Sequence, residues 1–122
     1  MPIHVTSSGT GRVVVVSLVG DHDLASAEHI RQTLLELSSH VSLVVLDFDA
    51  TTFVDSSVLG VFVGAAKRAA RHGNRVIGVN AHGIVARAMQ MTQIDVLLGL
   101  PPSLGELDDE LALLLRHPPA SS

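Results

Sequence analysis

The feature that most constrains the fold is an uninterrupted apolar run within residues 42–48, which read Ser-Leu-Val-Val-Leu-Asp-Phe. A strand with one face in water alternates apolar and polar side chains, and this run does not alternate. Continuous aliphatic residues are typical of a strand buried on both faces, as the strands of parallel sheets are. Since parallel strands are joined by crossover connections, usually helices, the run predicts an α/β fold.

The segments around this run supply the other strands and helices of such a fold. Two short β-rich segments with Gly9 and Gly11 between them predict a hairpin, because glycine adopts turn conformations freely. Asp23 and Asp55 each precede a segment with apolar residues at helical spacing, so both are candidate helix N-caps. The predicted strands are 3–6, 13–19, 42–48, 75–80 and a short edge strand at 96–100; the predicted helices are about 24–37, 56–71, 84–91 and one that begins near Ser103.

The predicted order is therefore β-β-α-β-α-β-α-(β)-α, where the brackets mark the edge strand. This order indicates a mixed sheet of four to five strands packed with about four helices. A chain of 122 residues fits one domain. We expect this domain to cover residues 1–116, and we expect the tail of residues 117–122, which contains two prolines, to be disordered.

The composition argues against several classes of function. The chain has 8 Lys and Arg against 12 Asp and Glu, and it has no Trp or Tyr, whereas nucleic-acid-binding proteins usually present basic surfaces with stacking rings. Without cysteine, disulfides and thiolate metal sites are excluded. The 7 histidines form no metal-binding spacing, and no apolar stretch approaches the ~20 residues of a membrane span. The sequence predicts a cytoplasmic protein with no cofactor, metal, nucleic-acid partner or membrane partner.

The residues best placed for chemistry follow the buried strand, at the start of the second long helix. Asp55 is predicted to cap this helix, and Ser56 and Ser57 to occupy its first turn, near unpaired backbone amides. A phosphoryl group on Ser57 would add about -1.5 to -2 charges beside Asp55 and, if the sheet places them there, beside Asp21 and Asp23. Such a charge would change the affinity of a partner that covers this surface without changing the fold.

The same segment allows two other interpretations. An Asp-Ser-Ser sequence is a common helix cap that needs no further role. A hydrolase would use Ser57 as its nucleophile, His22 as the base and Asp23 to orient that base. The sequence lacks the Gly-x-Ser-x-Gly elbow of many serine hydrolases and has no evident oxyanion hole, which favours a binding protein over an enzyme.

Two motifs resemble the STAS domain, a family named for sulfate transporters and anti-sigma-factor antagonists. Residues 16–27 contain Gly-Asp-His-Asp and then small residues, similar to the family's Gly-Glu-Leu-Asp and its small-residue helix start. Residues 53–60, Phe-Val-Asp-Ser-Ser-Val-Leu-Gly, follow Val-Val-Leu-Asp at 44–47 and are similar to the family's Phe-Met-Asp-Ser-Ser-Gly-Leu-Gly, the more specific motif. The order of elements is also similar, so the resemblance extends from about Ile3 to Leu115, and it is in particular a resemblance to the free-standing antagonists.

The resemblance implies a partner switch without enzyme activity in this chain. The unphosphorylated antagonist binds an anti-sigma factor that is also a serine kinase. The kinase phosphorylates and releases the antagonist with ATP, and a protein phosphatase restores it. The phosphoacceptor falls on Ser57, with Ser56 as the second choice. The residues that the resemblance places at the switch or at the partner surface are Asp21, Asp23, Asp55, Ser56, Val58 and Leu59.

Three residues depart from the family pattern: His22 replaces the usual Leu, Asp21 replaces Glu, and Val58 replaces Gly. We expect the β-branched side chain of Val58 to narrow the kinase's access to Ser57 or to alter the choice of partner. An alternative role within the family is a scaffold subunit of a signalling or transporter assembly, in which Ser57 is only part of a helix cap. Both a monomer and a weak dimer fit the sequence.

Overall fold

The protein has the α/β architecture that its sequence predicts. The computed structural model describes residues 3–7 and 11–99. Its strands are β1 (Ile3–Ser7), β2 (Val13–Leu18), β3 (Gly20–His22), β4 (Leu43–Asp47), β5 (Thr51–Val54) and β6 (Arg75–Val79). Its helices are α1 (Leu24–His40), α2 (Ser56–Arg71), α3 (Gly83–Met91) and α4 (Ile94–Leu97). None of these described helices is both long and apolar enough to span a membrane.

Four strands form a mixed sheet in the order β1-β2-β4-β6. β1 and β2 are antiparallel, as the predicted hairpin requires, and β2, β4 and β6 are parallel to one another. The apolar run lies in β4, between two parallel neighbours, and Val44, Val45 and Leu46 are all 0% exposed. Burial on both faces therefore explains why this strand does not alternate.

A second, two-stranded sheet was not predicted from the sequence. It pairs β3 with β5 in parallel, and its register places His22 beside Val54. Because Asp23 and Asp55 follow these two residues, α1 and α2 begin side by side, each directly after a strand of this small sheet. The small sheet is thus the element that brings the two aspartate caps together.

The core that supports α2 lies between the main sheet and the helices. α2 turns one apolar face inward, and the centre of this face is Phe62, which is 0% exposed. The Phe62 ring meets the ring of Phe48 edge to face, with 5.5 Å between the centroids. These contacts fix the axis of α2, and hence the position of its first turn, against the sheet. The buried residues of α2 are Val58, Leu59, Phe62, Ala65 and Ala69.

The predicted edge strand at 96–100 is wrong where the structure describes it. Ile94–Leu97 forms the short helix α4, and the Leu98 amide donates to the Ile94 carbonyl at 2.9 Å. The Leu98 carbonyl accepts a hydrogen bond from the Gly78 amide of β6 at 3.0 Å. The segment therefore contacts the strand at the edge of the sheet but does not add a strand to it. The predicted helix from Ser103, the domain end at residue 116 and the tail 117–122 lie outside the described residues.

Candidate functional site

Asp55 caps α2, as the sequence predicts. Its Oδ1 accepts hydrogen bonds from the Ser57 amide at 3.1 Å, the Val58 amide at 3.2 Å and the Ser57 hydroxyl at 2.5 Å. These donors hold the pKa of the Asp55 carboxyl below its usual value; the Ser57 hydroxyl has the largest effect, and the Leu24 amide of α1 adds to it. Asp55 is therefore a stable carboxylate that joins the first turns of both helices.

The two serines of the first turn differ in their surroundings. Ser56 is exposed, whereas Ser57 is half-buried and its hydroxyl donates its proton to Asp55. This bond fixes the position of the Ser57 oxygen and leaves its lone pairs directed away from the carboxylate. Of the two, Ser57 has the oriented hydroxyl.

Asp21 and Asp23 lie beside this cap. Asp23 caps α1 by accepting from the Ala25 amide at 2.9 Å, and the Asp55 amide donates to the His22 carbonyl at 3.2 Å. Asp21 pairs in register with Phe53 of β5 and accepts a hydrogen bond from the Thr52 hydroxyl. The register of β3 and β5 therefore places Asp21, Asp23 and Asp55 at the carboxyl ends of these two strands, where ligands and partners bind in many open α/β sheets.

Val58 and Leu59 were expected at the partner surface, and the structure places both on the inward face of α2. The side chain of Val58 is 0% exposed and that of Leu59 is 7% exposed, since both belong to the inward face of α2. Val58 therefore cannot narrow the access to Ser57 as expected. Both residues support the first turn from below, and Val58 offers a partner no exposed area while α2 stays packed.

His22 is a buried core residue. Its ring is 0% exposed, Nε2 lies 3.0 Å from the Val19 carbonyl, and Nδ1 lies 3.2 Å from the Ser26 hydroxyl. Burial lowers the pKa of the imidazole. Since both ring nitrogens have these partners and the Ser57 hydroxyl is bonded to Asp55, the hydrolase arrangement of Ser57, His22 and Asp23 is not formed. Within residues 3–7 and 11–99, no three His, Asp or Glu side chains gather as metal ligands would.

Two exposed apolar side chains near Asp23 and Asp55 were not predicted from the sequence. Leu24, at the first position of α1, is 74% exposed. Phe53, two residues before Asp55, is 39% exposed. The sequence signals were the position of Leu24 directly after Asp23 and that of Phe53 at the start of the motif at 53–60. Contiguous apolar patches rimmed by polar groups mark many protein-binding surfaces, so these two side chains are candidate contacts for a partner.

Replacing Asp55 with Ala should lower the free energy of unfolding, because α2 loses its N-cap. Folding lowers the pKa of Asp55 below its ordinary value of 3.8, so the charged carboxylate stabilises the fold. This stabilisation is fully present above pH 3.8 and is lost as the pH falls through the lower pKa of the folded state. Urea denaturation at neutral pH and near pH ~3 measures both effects. Asp55→Asn is the matched control: it keeps a capping oxygen and should lose less stability at neutral pH. An equal loss for Ala and Asn would contradict the capping role.

Comparison with known proteins gives this geometry its context. The family model described as the STAS domain matches residues 4–107. The structure of the anti-sigma factor antagonist SpoIIAA in its unphosphorylated form is similar with a TM-score of 0.63 and 21% identity, over 80% of this chain and 99% of that one. The phosphorylated form of SpoIIAA, a Bacillus cell fate determinant, gives 0.67 and 21%, over 85% and 94% of the two chains.

A third similar structure is an anti-sigma factor antagonist from Mycobacterium paratuberculosis, with a TM-score of 0.68 and 23% identity, over 87% of this chain and 92% of that one. At these identities the structures show a shared fold. The family match spans most of the chain, including β3, β5 and both aspartate caps. On this evidence the chain belongs to the STAS domain family.

Proposed function

We propose that this chain is an anti-sigma-factor antagonist that binds an anti-sigma factor with serine kinase activity and is released when Ser57 is phosphorylated. The observation that carries the proposal is the Ser57 hydroxyl, which is half-buried in the first turn of α2 and held by Asp55 at 2.5 Å. Similar folds occur in proteins that are themselves antagonists, one of them in a phosphorylated form, and this supports the assignment.

The proposed contact surface surrounds this hydroxyl. Leu24 and Phe53 offer exposed apolar area, and Asp21 and Asp23 offer charge at its edge. A partner that covers the apolar side chains removes Ser57 from water and brings its own groups close to the carboxylates. In this mode the apolar contacts supply most of the affinity, while the charges set specificity and the rate of association.

Phosphoryl transfer would use the hydroxyl in the position it already has. A bond forms between Ser57 Oγ and the γ-phosphorus of ATP on the kinase, and the bond from that phosphorus to ADP breaks. The hydroxyl proton leaves as the new bond forms. Because its pKa is lowered, Asp55 is a weak base, so we assign it to orienting the hydroxyl and assign the proton to a base of the kinase.

Phosphorylation would turn the attraction between Ser57 and Asp55 into repulsion. The ester oxygen of phosphorylated Ser57 has no proton to donate, so its hydrogen bond to Asp55 is replaced by repulsion between two anionic groups. The phosphate can instead accept from backbone amides at the start of α2, since a helix N-terminus favours anions. The helix therefore stays folded, and the change acts on the partner.

Removal of the phosphate by a protein phosphatase would restore the donor to Asp55 and, with it, the binding surface. In this account the ATP belongs to the kinase, and the chain acts as a binding protein in the cytoplasm. No bound cofactor takes part in the switch. The domain needs to present only one modified hydroxyl, two helix caps and the apolar side chains around them.

The proposal is tested with the anti-sigma factor kinases of the host, purified and titrated against the immobilised chain with no nucleotide, with ADP or with ATP. A cognate kinase should bind the wild-type chain, and ATP should release it. Ser57→Ala should bind and should not be released, whereas the matched control Ser56→Ala should behave as the wild type does. Release of Ser57→Ala by ATP would overturn the assignment of Ser57, and binding that ATP never affects would favour the scaffold role.

A further inference from the structure

A groove runs between α1 and α2 and is lined by residues of both helices. The two helices begin together and run in the same direction, since Arg68 Nε donates to the Leu35 carbonyl at 3.3 Å and the Asn74 amide group donates to the Ser38 carbonyl at 3.1 Å. The cavity between them has a volume of about 380 Å³. Its lining starts at Ser57 and ends at Arg71, which is about 21 Å along α2 at 1.5 Å per residue. A site whose lining extends this far along a helix matches the length of a short peptide segment.

The groove is cationic although the chain carries a net charge of -4. Arg31, Arg68 and Arg71 contribute to its lining. Arg31 forms an ion pair with Glu28 at 2.7 Å; in the described part of the chain, neither Arg68 nor Arg71 lies within ion-pair distance of a carboxylate. Arginine binds carboxylates through two parallel hydrogen bonds, so the charge of the groove is complementary to an acidic segment.

The floor of the groove contains two glycines one helical turn apart, Gly60 and Gly64. Both are exposed, and a methyl group added to either would meet no atom within 4 Å. Packing within the chain therefore gives no reason for glycine at these positions, and glycine in a helix interior is destabilising relative to alanine. A second backbone lying close over this turn would supply the reason.

We propose that the α1–α2 groove binds an acidic peptide segment of the partner, with its backbone over Gly60 and Gly64 and its carboxylates on Arg68 and Arg71. The inference rests on the proposed function, because Ser57 lies at one end of the same groove. A phosphoryl group there places about -1.5 to -2 charges at the end of a site that holds an anionic segment. Repulsion within the groove then adds to the release of the partner.

The probe is a synthetic helical peptide with Glu on one face and Ala and Leu on the other, titrated into the ¹⁵N-labelled chain at low salt. Amide shifts should centre on Gly60 and Gly64, and the same peptide with Gln in place of Glu should bind at least tenfold more weakly. Arg71→Glu should weaken binding at least tenfold. Lys67→Glu, an equal change of charge at an exposed position of α2 outside the groove, should weaken it less than threefold. Equal effects of Arg71→Glu and Lys67→Glu, or no shifts in the groove, would overturn the inference.

The Gly64→Ala variant should change peptide affinity and thermal stability in opposite directions. The substitution should raise Tm by about 2–5 °C, because alanine favours the helix, and should weaken peptide binding at least fivefold, because the methyl group occupies the path of the second backbone. Tighter or unchanged binding by Gly64→Ala would contradict the close approach.

The cognate kinase provides the second arm of the test. If it binds Arg71→Glu as well as wild type and is still released by phosphorylation of Ser57, the groove inference fails and the proposed function stands. If no kinase of the host binds and the acidic peptide does, the proposed function fails and the groove stands.

Discussion

Phosphorylation of Ser57 is expected to lower the affinity for the anti-sigma factor about 100-fold, or about 2.7 kcal/mol of binding free energy. The new charge would lie beside the Asp55 carboxylate, which accepts the Ser57 hydroxyl at 2.5 Å, and near Asp23 across the β3–β5 pair. Two like charges ~6 Å apart repel by roughly 3 kcal/mol at an effective dielectric near 20, before screening by salt. Calorimetric titration of the chain with and without phosphate on Ser57 measures the difference.

The control for this prediction is Ser57→Val, which removes the hydrogen bond to Asp55 and adds no charge. Its affinity should stay within about threefold of wild type if charge is the cause of release. Ser57→Asp should fall between the two, because aspartate carries about half the charge of the phosphate. If Ser57→Val lowers the affinity for the partner as much as phosphorylation does, the lost hydrogen bond, and not repulsion, releases the partner.

Replacing Phe62 with Ala should lower the free energy of unfolding by about 3–5 kcal/mol. Phe62 is 0% exposed, and its ring packs edge to face on Phe48 at 5.5 Å, so the substitution removes apolar contacts and leaves a cavity beneath α2. Domains of this size are stable by only about 5–15 kcal/mol, so the variant should be close to unfolding at 37 °C. Urea denaturation gives the loss from the shift in midpoint at constant slope.

Lys67→Ala is the matched control on the same helix, because Lys67 is exposed. Its free energy of unfolding should stay within about 0.5 kcal/mol of wild type. A loss below about 1 kcal/mol for Phe62→Ala would mean that α2 is not held by this core, and the position of Ser57 would then need another explanation.

The parts of the fold that the sequence predicts are those with long, regular patterns. The apolar run of β4 and the helical spacing after Asp23 and Asp55 each extend over several residues, so chance patterns rarely imitate them. Both caps are predictable because a short carboxylate just before such a segment can reach the amides of the first turn. These same features place Ser57 at a helix N-terminus.

The parts that the sequence does not predict depend on contacts between distant segments. β3 has 3 residues and β5 has 4, too few for a pattern, and only their pairing across the chain makes them strands. Val96 favours a strand by its own propensity, yet α4 forms there, and Leu98 directly after it accepts a hydrogen bond from Gly78 of β6. The burial of Val58 is a related case. Its position in the motif suggested a surface residue, but it lies on the inward face of α2 and is 0% exposed.

The proposed switch depends on the transfer of a phosphoryl group to Ser57 in the cell. The most direct measurement is intact-mass analysis and site mapping of the chain recovered from its host, with and without phosphatase treatment. We expect one phosphoryl group, on Ser57, in a fraction of the molecules that changes with growth conditions, and we expect it to disappear with phosphatase. Phosphate on no serine under any condition, or on Ser56 alone, would contradict it and leave the Asp-Ser-Ser turn as a helix cap.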